Sequence, residues 1–355
     1  MAESGVFLLG LLLALVLAAV PGWAHHSRAA FDLDNSISVT GVVTEVAWTN
    51  PHYYLSVAEP ALPQARQWTF EGHSVPGLVR NGWSKDTLQV GQQVQVVANP
   101  NKDAGIAFGL LDHVTRPDGS TYYSFRPKPG AGATQAHQAV EPSTDFSGTW
   151  RVIRSLRSNL VAGFGAPVDW PLTDSARAAV ATYSMHDDPS LRCEDRGLPR
   201  MLQWPYAQRW RWQDDQLLIE REHSLEGRVV YAQMPAEVSA GKSGVSVYHH
   251  QPDGSLMMTT DQFVATRWGS TRGVDSSADK QLTEHYQLTE GGRVLALTYT
   301  IIDPQHLREP VVQTLRYAKV ADFEFAEEPP CDTYTAQRHL QFEAEPAVQA
   351  NQAKE

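Results

Sequence analysis

A chain of 355 residues is long enough for two domains of ordinary size, and its 29 Lys and Arg against 40 Asp and Glu give a formal net charge of -11. That balance argues against a nucleic-acid partner, because binding a phosphate backbone needs clustered basic residues that release counterions. With 42% hydrophobic and 19% charged residues, and 10 Trp and 12 Tyr among the aromatics, the composition suits sizeable cores and argues against global disorder.

Residues 6–20 (VFLLGLLLALVLAAV) form one uninterrupted apolar run, followed by Pro21 and by small residues at Gly22 and Ala24. This reads as a signal peptide over residues 1–24, with cleavage after Ala24 and a periplasmic or secreted bacterial protein as the product. The run is shorter than the ~20 residues a bilayer span needs, and no membrane span is expected after cleavage. The n-region MAESG departs from the pattern, with Glu3 and no Lys or Arg, which leaves an uncleaved anchor or a misplaced start codon as the alternative. The mature chain would open on His25 and His26. Its only cysteines, Cys193 and Cys331, are expected to pair, since two thiols in an oxidising compartment more often join than stay free. Their separation fits neither a redox CxxC nor a zinc site.

Residues 25–125 read as about five short strands. Tyr53, Leu55 and Val57 alternate with His52, Tyr54 and Ser56, the period of a half-buried strand. Trp68 and Phe70 alternate with Thr69 and Glu71, Val94 and Val96 with Gln93 and Gln95, and residues 39–48 and 106–114 supply the rest. Residues 76–88 suggest a short helix and a turn between the third and fourth strands, the order of a small OB-like Greek-key barrel, with an open sandwich as the alternative the same pattern allows. Residues 126–144, rich in Pro, Gly, Ala and Gln, read as a linker.

Residues 145–340 form the second unit. One helix is predicted over 173–183 with Thr173 as its cap. Strands are predicted at 209–212, 216–222, 228–233, 244–249, 256–260, 262–268, 281–288, 294–301 and 311–317. So many hairpin-connected strands favour a closed or nearly closed antiparallel barrel, because closure removes exposed edges. The fold class is thus mainly all-β, a small OB-like barrel followed by a larger antiparallel barrel-like domain with one short helix. Residues 341–355 read as a polar, disordered tail.

Four segments carry a resemblance: AHHSRAAFD (24–32), GVVTEVAWTNPHYYLSV (41–57), WTFEGHSVPGLVRNGWSKDTLQVGQQVQVV (68–97) and GLLDHVTRPDG (109–119). Over this first third the chain resembles a family of uncharacterised exported bacterial proteins, of which the HHS start and the NPH element are the more specific features. The resemblance implies location and architecture, and it implies no role for His73, whose position in that family often holds a small or polar residue. The phrase DFSGTW (145–150) is similar to the opening of C-terminal regions in related exported proteins. Gly148-Thr149-Trp150 resembles the Gly-x-Trp opening of lipocalin barrels, which would place Arg316 on Trp150.

For a site, the histidines are the most informative residues. A mature N-terminal His25 offers its free amine and a ring nitrogen, and His52, on the side of its strand away from Leu55 and Val57, offers a third nitrogen, a set that suits Cu(II). His26 offers another arrangement through the amine, its own amide and its ring. Against this stand a plain mobile terminus and a simple Asn50-Pro51 turn. His249 and His250, neighbours on a strand, point to opposite faces. GHSVPG (72–77) fails the nucleophile-elbow spacing, and Ser74 reads as a cap or turn. Nucleotide-binding glycine motifs are absent. Trp150, Trp170, Trp204, Trp210, Trp212 and Trp268 would wall a cavity for a small apolar ligand if they faced a barrel interior, or simply fill it.

Three functions remain: a non-enzymatic exported binding protein holding copper and an apolar molecule, an enzyme using carboxylates such as Glu220, Glu222, Glu284 or Asp303 with His285 or His306 in the larger domain, and an envelope interaction module with neither. The sequence carries no signal for oligomeric state. The first expected outcome is that N-terminal sequencing of exported protein returns His25. A start at Met1, or anywhere beyond His26, would remove both the cleavage assignment and the N-terminal chelate.

Overall fold

A computed structural model describes residues 30–60, 66–126, 143–153, 170–222, 224, 227–321 and 323–342. The linker at 126–144 falls almost wholly outside them. The first unit contains β1 (Ile37–Ala47), β2 (Tyr54–Glu59), β3 (Arg66–Glu71), helix α1 (Val75–Arg80), β4 (Gln93–Pro100), β5 (Phe108–Thr115) and the short β6 (Thr121–Tyr123). The strand order β3-β2-β1-β4-β5 closes through a parallel β3–β5 pairing, with α1 between β3 and β4, which is the expected OB-like barrel. The eleven-residue β1 serves both halves by turning at a bulge between Val43 and Glu45. Gly41 lets it turn, because a Cβ there would lie 2.3 Å from the Ala58 carbonyl oxygen. Val39, Val43, Leu55, Val57, Phe70, Val96 and Leu111 fill the interior.

One expectation fails in an informative way. The strand at 52–57 should be half-buried, yet Tyr54, Leu55, Ser56 and Val57 are all buried, as are Trp68, Thr69, Phe70 and Glu71 on its neighbour. The outer face is covered by the end of the chain. Arg338 lies over the Tyr54 ring at 5.0 Å, donates to Ser56 Oγ at 3.3 Å and grips Glu45 with two hydrogen bonds of 2.7 and 2.6 Å.

The second unit is a closed nine-stranded barrel. Its members are β7 (Gly148–Val152), β8 (Gln208–Gln213), β9 (Gln216–Arg221), β10 (Arg228–Tyr231), β11 (Val245–His250), β12 (Leu256–Asp261), β15 (Gln281–Thr289), β16 (Val294–Ile302) and β17 (Val311–Val320). Pairing is antiparallel except for β10–β11, which is parallel and needs the return crossing at residues 232–244. The strand expected at 262–268 is not in the barrel. Gln262 and Trp268 hold left-handed φ values of 52° and 54°, so the chain leaves the wall and forms a separate hairpin of β13 (Thr266–Thr271) and β14 (Val274–Ser276). β12 therefore pairs directly with β15, and the unforeseen β7 joins the barrel elsewhere, between β17 and β8. Helix α2 (Asp174–Ala181) begins as expected at Thr173, whose Oγ1 accepts from the Ala176 amide at 3.3 Å.

Strand directions fix what covers each end of this barrel. At one end, residues 198–202 before β8 send Leu198, Met201 and Leu202 into the core. At the other end lie the β11–β12 and β15–β16 turns and the approach to β7. Inside, Arg228, 2% exposed at its side chain, donates to Glu284, Ser246 Oγ and Thr260 Oγ1, and Tyr286 donates to Glu284 Oε1 at 2.6 Å. A buried pair so fully hydrogen-bonded offsets much of its desolvation cost.

After β17 the chain does not stop at the barrel. Residues 323–342 run back across the first unit and include helix α3 (Thr333–Gln337) and a 3-10 turn over Arg338–Phe342. Two residues expected in a polar tail, Gln341 and Phe342, are therefore part of the fold: the Phe342 ring stacks on Phe108 at 4.2 Å, and its carbonyl accepts from Asn101. Cys331, on this strap, is bonded to Cys193 across 138 residues of sequence. In the chain-entropy model, closing a loop of that size restricts the unfolded state by about 5 kcal/mol at the upper end. Replacing both cysteines by serine should lower the urea-unfolding free energy by a large part of that amount. Alkylation of the native chain under non-reducing conditions should add no mass; two alkyl groups per chain would refute the bond.

Candidate functional site

His52 follows Pro51 at the entry to β2, and its Nδ1 lies 3.2 Å from Oε1 of Glu71 on β3. Glu71 is held there because it pairs with Tyr54 in the β2–β3 register, two residues beyond His52. Its side chain is 2% exposed, whereas that of His52 is 33% exposed. A buried carboxylate against Nδ1 favours the tautomer that carries its proton on that nitrogen and turns Nε2 into the basic one.

The strap brings a second ring to this place. His339 sits in the 3-10 turn, 5% exposed, with its ring centroid 6.2 Å from that of His52. Its Nδ1 is buried and finds no hydrogen-bond partner among the described residues. Burial, which outweighs the attraction of Glu71 and is reinforced by the neighbouring His52, pushes the His339 imidazole down to about 4. Arg272 and Asp188 of the second unit also face it, so the ring stands in the seam between the units. Burial would raise the carboxyl of Asp188, yet Arg200, Arg196 and Arg272 pull it well below its ordinary range. Arg200 makes two hydrogen bonds to it, of 3.1 and 2.7 Å. Sequence reasoning overlooked His339 because it lies in a stretch with no motif and is brought to His52 only by the strap.

His25 and His26 lie outside the described residues. The first described residues sit close to the same patch: Phe31 shares a small core with Tyr54, Phe108 and Leu110, against which Phe342 packs. Among the described residues, no group of three His, Cys, Asp or Glu side chains is arranged to hold a metal ion by itself.

The other candidates are dispersed. His73 and Ser74 do touch, at 3.0 Å between Nδ1 and Oγ, but the same Nδ1 also accepts the Ser74 amide at 2.7 Å and Ser74 is buried, so Ser74 has no open approach for a substrate. His250 lies against Trp212 at 5.8 Å, and His249 is exposed beside it. The carboxylates are engaged separately: Glu220 with Arg211, Glu222 with Arg80, Glu284 with Arg228 and Asp303 with Ser277. His285 meets Ser255 at 2.7 Å, while the His306 backbone closes a turn with Asp303 and Thr173.

Inside the barrel the tryptophans do not wall a cavity. Trp150 and Trp210 are buried inside the barrel with Tyr286, Tyr299 and Tyr317, and Trp170 joins the same core, so the described interior is packed rather than hollow. Trp268 lies on the hairpin against Tyr183, and Trp204 lies under Arg196. Trp212 stands at the mouth. Lys319, not Arg316, approaches the Trp150 ring, at 5.2 Å, while Arg316 reaches out to Glu290.

The model of DUF6152, a family of unknown function, matches residues 13–110. The described part of that match is most of the small barrel, including His52 and Glu71 but not the strap or the second unit. No curated protein matches the chain. No helix among the described residues is long and apolar enough to cross a membrane.

His339 gives the seam a pH dependence whose sign follows from its lowered pKa. Between pH 6.5 and 4 the unfolded chain takes up a proton that the folded ring refuses, so stability falls as the pH is lowered through that window. The full effect is on the order of 3 kcal/mol. Urea unfolding of EDTA-treated protein should show this slope, and His339→Gln should flatten it. An unchanged slope in the variant would mean that His339 titrates normally.

Proposed function

We propose that this chain is an exported, non-enzymatic binding protein whose small barrel holds Cu(II) through the amine and imidazole of a mature N-terminal His25, with His52 completing the set. The observation that carries the reading is the contact of the buried Glu71 carboxylate with His52 Nδ1. Ligating histidines characteristically have such a partner on the other ring nitrogen, which orients the ring and raises the basicity of the donor. His52 keeps enough exposure for an incoming ion.

Two further features support it. The described chain begins at Ala30, next to Phe31, which shares a small core with Tyr54, and Tyr54 in turn lies 6.4 Å from His52 between ring centroids, so the N-terminal segment enters the fold near His52. Two nitrogens from one terminal residue and a third from His52 would make the neutral-nitrogen set that Cu(II) favours. The Cys193–Cys331 bond fits an oxidising compartment, as export requires.

Copper affinity should fall as the pH drops from about 8 towards 5, because protons compete for an α-amino group with a reference pKa near 7.7–8.0 and for imidazoles near 6.5. One extra residue placed before His25 should weaken binding greatly, and His52→Ala should weaken it less but clearly. His249→Ala should leave it unchanged. Isothermal titration of the mature protein against a competing chelator measures all three. Unchanged affinity in the extended protein would exclude the terminal chelate.

A further inference from the structure

The open end of the nine-stranded barrel carries a cleft of about 760 Å³, within the range of small-molecule sites. It is lined where the approach to β7 meets the β11–β12 and β15–β16 turns. On one wall Trp212 and His250 stand 5.8 Å apart, and Tyr248 adjoins both, 5.1 Å from Trp212 and 5.6 Å from His250, each nearly edge-on. The Trp212 ring is pinned by its Nε1, which donates to Asp145 Oδ1 at 3.1 Å.

Among the described residues that line the cleft, the charged side chains Asp145, Asp253 and Glu290 are all acidic. Glu290 is paired outward with Arg316, and Lys319 lies near Asp145. Asp253 uses only Oδ1, for the Ser255 amide and hydroxyl, and among the described residues its Oδ2 makes no hydrogen bond. Those two bonds hold the Asp253 carboxyl below its ordinary range, so it is ionised at neutral pH.

We infer that this cleft is a binding site for an organic cation, an ammonium group seated against the Trp212 and His250 rings, with the Asp253 carboxylate in the same lining. Aromatic faces attract a cation through their quadrupole, and a carboxylate at the rim adds attraction without requiring a directional bond. A quaternary ammonium suits the site because it is weakly hydrated and gives up little on moving from water onto an aromatic face. The site is independent of the proposed copper centre, since it shares no residue with His25, His52, Glu71 or His339.

The test uses the full mature chain, EDTA-treated and with its disulfide intact, at about 0.15 M salt so that distant charges are screened. Choline is the probe and 3,3-dimethylbutan-1-ol its uncharged isostere, both followed by tryptophan fluorescence and by calorimetry. Choline should bind saturably, the isostere at least about tenfold more weakly, and Trp212→Leu and Asp253→Asn should each weaken choline by about threefold or more. Asp253→Asn removes charge from an exposed turn and keeps the Oδ1 acceptor, so it remains informative if Trp212→Leu unfolds the barrel. Equal binding of choline and the isostere would overturn the proposal. So would choline binding that is indifferent to Asp253→Asn, or no choline binding up to tens of millimolar.

Discussion

Asn50 holds the small barrel and the returning strap in one arrangement. Its side chain is almost wholly buried and fully used: Oδ1 accepts from the Val75 amide at the start of α1, and Nδ2 donates to Glu328 Oε2 and to the Pro329 carbonyl. Its carbonyl accepts from the Asp332 amide at 2.9 Å and from Thr335 Oγ1 at 3.4 Å. One amide thus joins the β1–β2 loop, the helix of the small barrel and the returning strap. The short side chain of Asn offers a donor and an acceptor together, which an Asp or a Leu of similar size does not. The disulfide fastens the strap to residues 189–193 just beside this knot, and Arg80 with Glu222 forms a second tie between the units.

This arrangement accounts for the unusual number of charged groups in the seam. Asp188 and Arg272 would each carry a large desolvation cost alone; Asp188 is tolerated because Arg200 gives it two hydrogen bonds and Arg196 and Arg272 add their charge, and Arg272 because Asp188 stands near it. His339 has no such compensation and stays neutral instead. A neutral imidazole beside an oriented one is compatible with a metal site at the edge of the seam, and it makes the seam the part of the fold most sensitive to acid.

The larger barrel solves a different problem. Its tryptophans and tyrosines fill the interior, so the recognisable concavity lies at the mouth, where the last ring on β8 meets two turns. Turn residues are free of the packing constraints that govern the wall, and there carboxylates and a ring wall coexist without burial of charge.

Much of the architecture was legible in the residues themselves. Period-two alternation located most of the strands, Thr173 marked the start of α2, and the strand order with a helix after the third strand indicated the OB-like barrel, because these signals are local. The pairing of Cys193 with Cys331 followed from there being only two thiols. In the site, Asn50-Pro51-His52 stood out as an element and His52 as a candidate donor. Neither Glu71 as its orienting partner nor His339 as its neighbour could be read, since contacts between distant segments leave no mark on the periodicity of either. Alternation reports which side of a strand is apolar, but not what covers the other side. Only the tertiary structure decided that the strap buries the outer face of β2 and β3, that residues 262–268 leave the barrel while β7 joins it between β17 and β8, and that the aromatic rings fill it. Each of these outcomes depends on side-chain volumes and backbone paths meeting across more than a hundred residues, and that information resides in the packing rather than in any one segment.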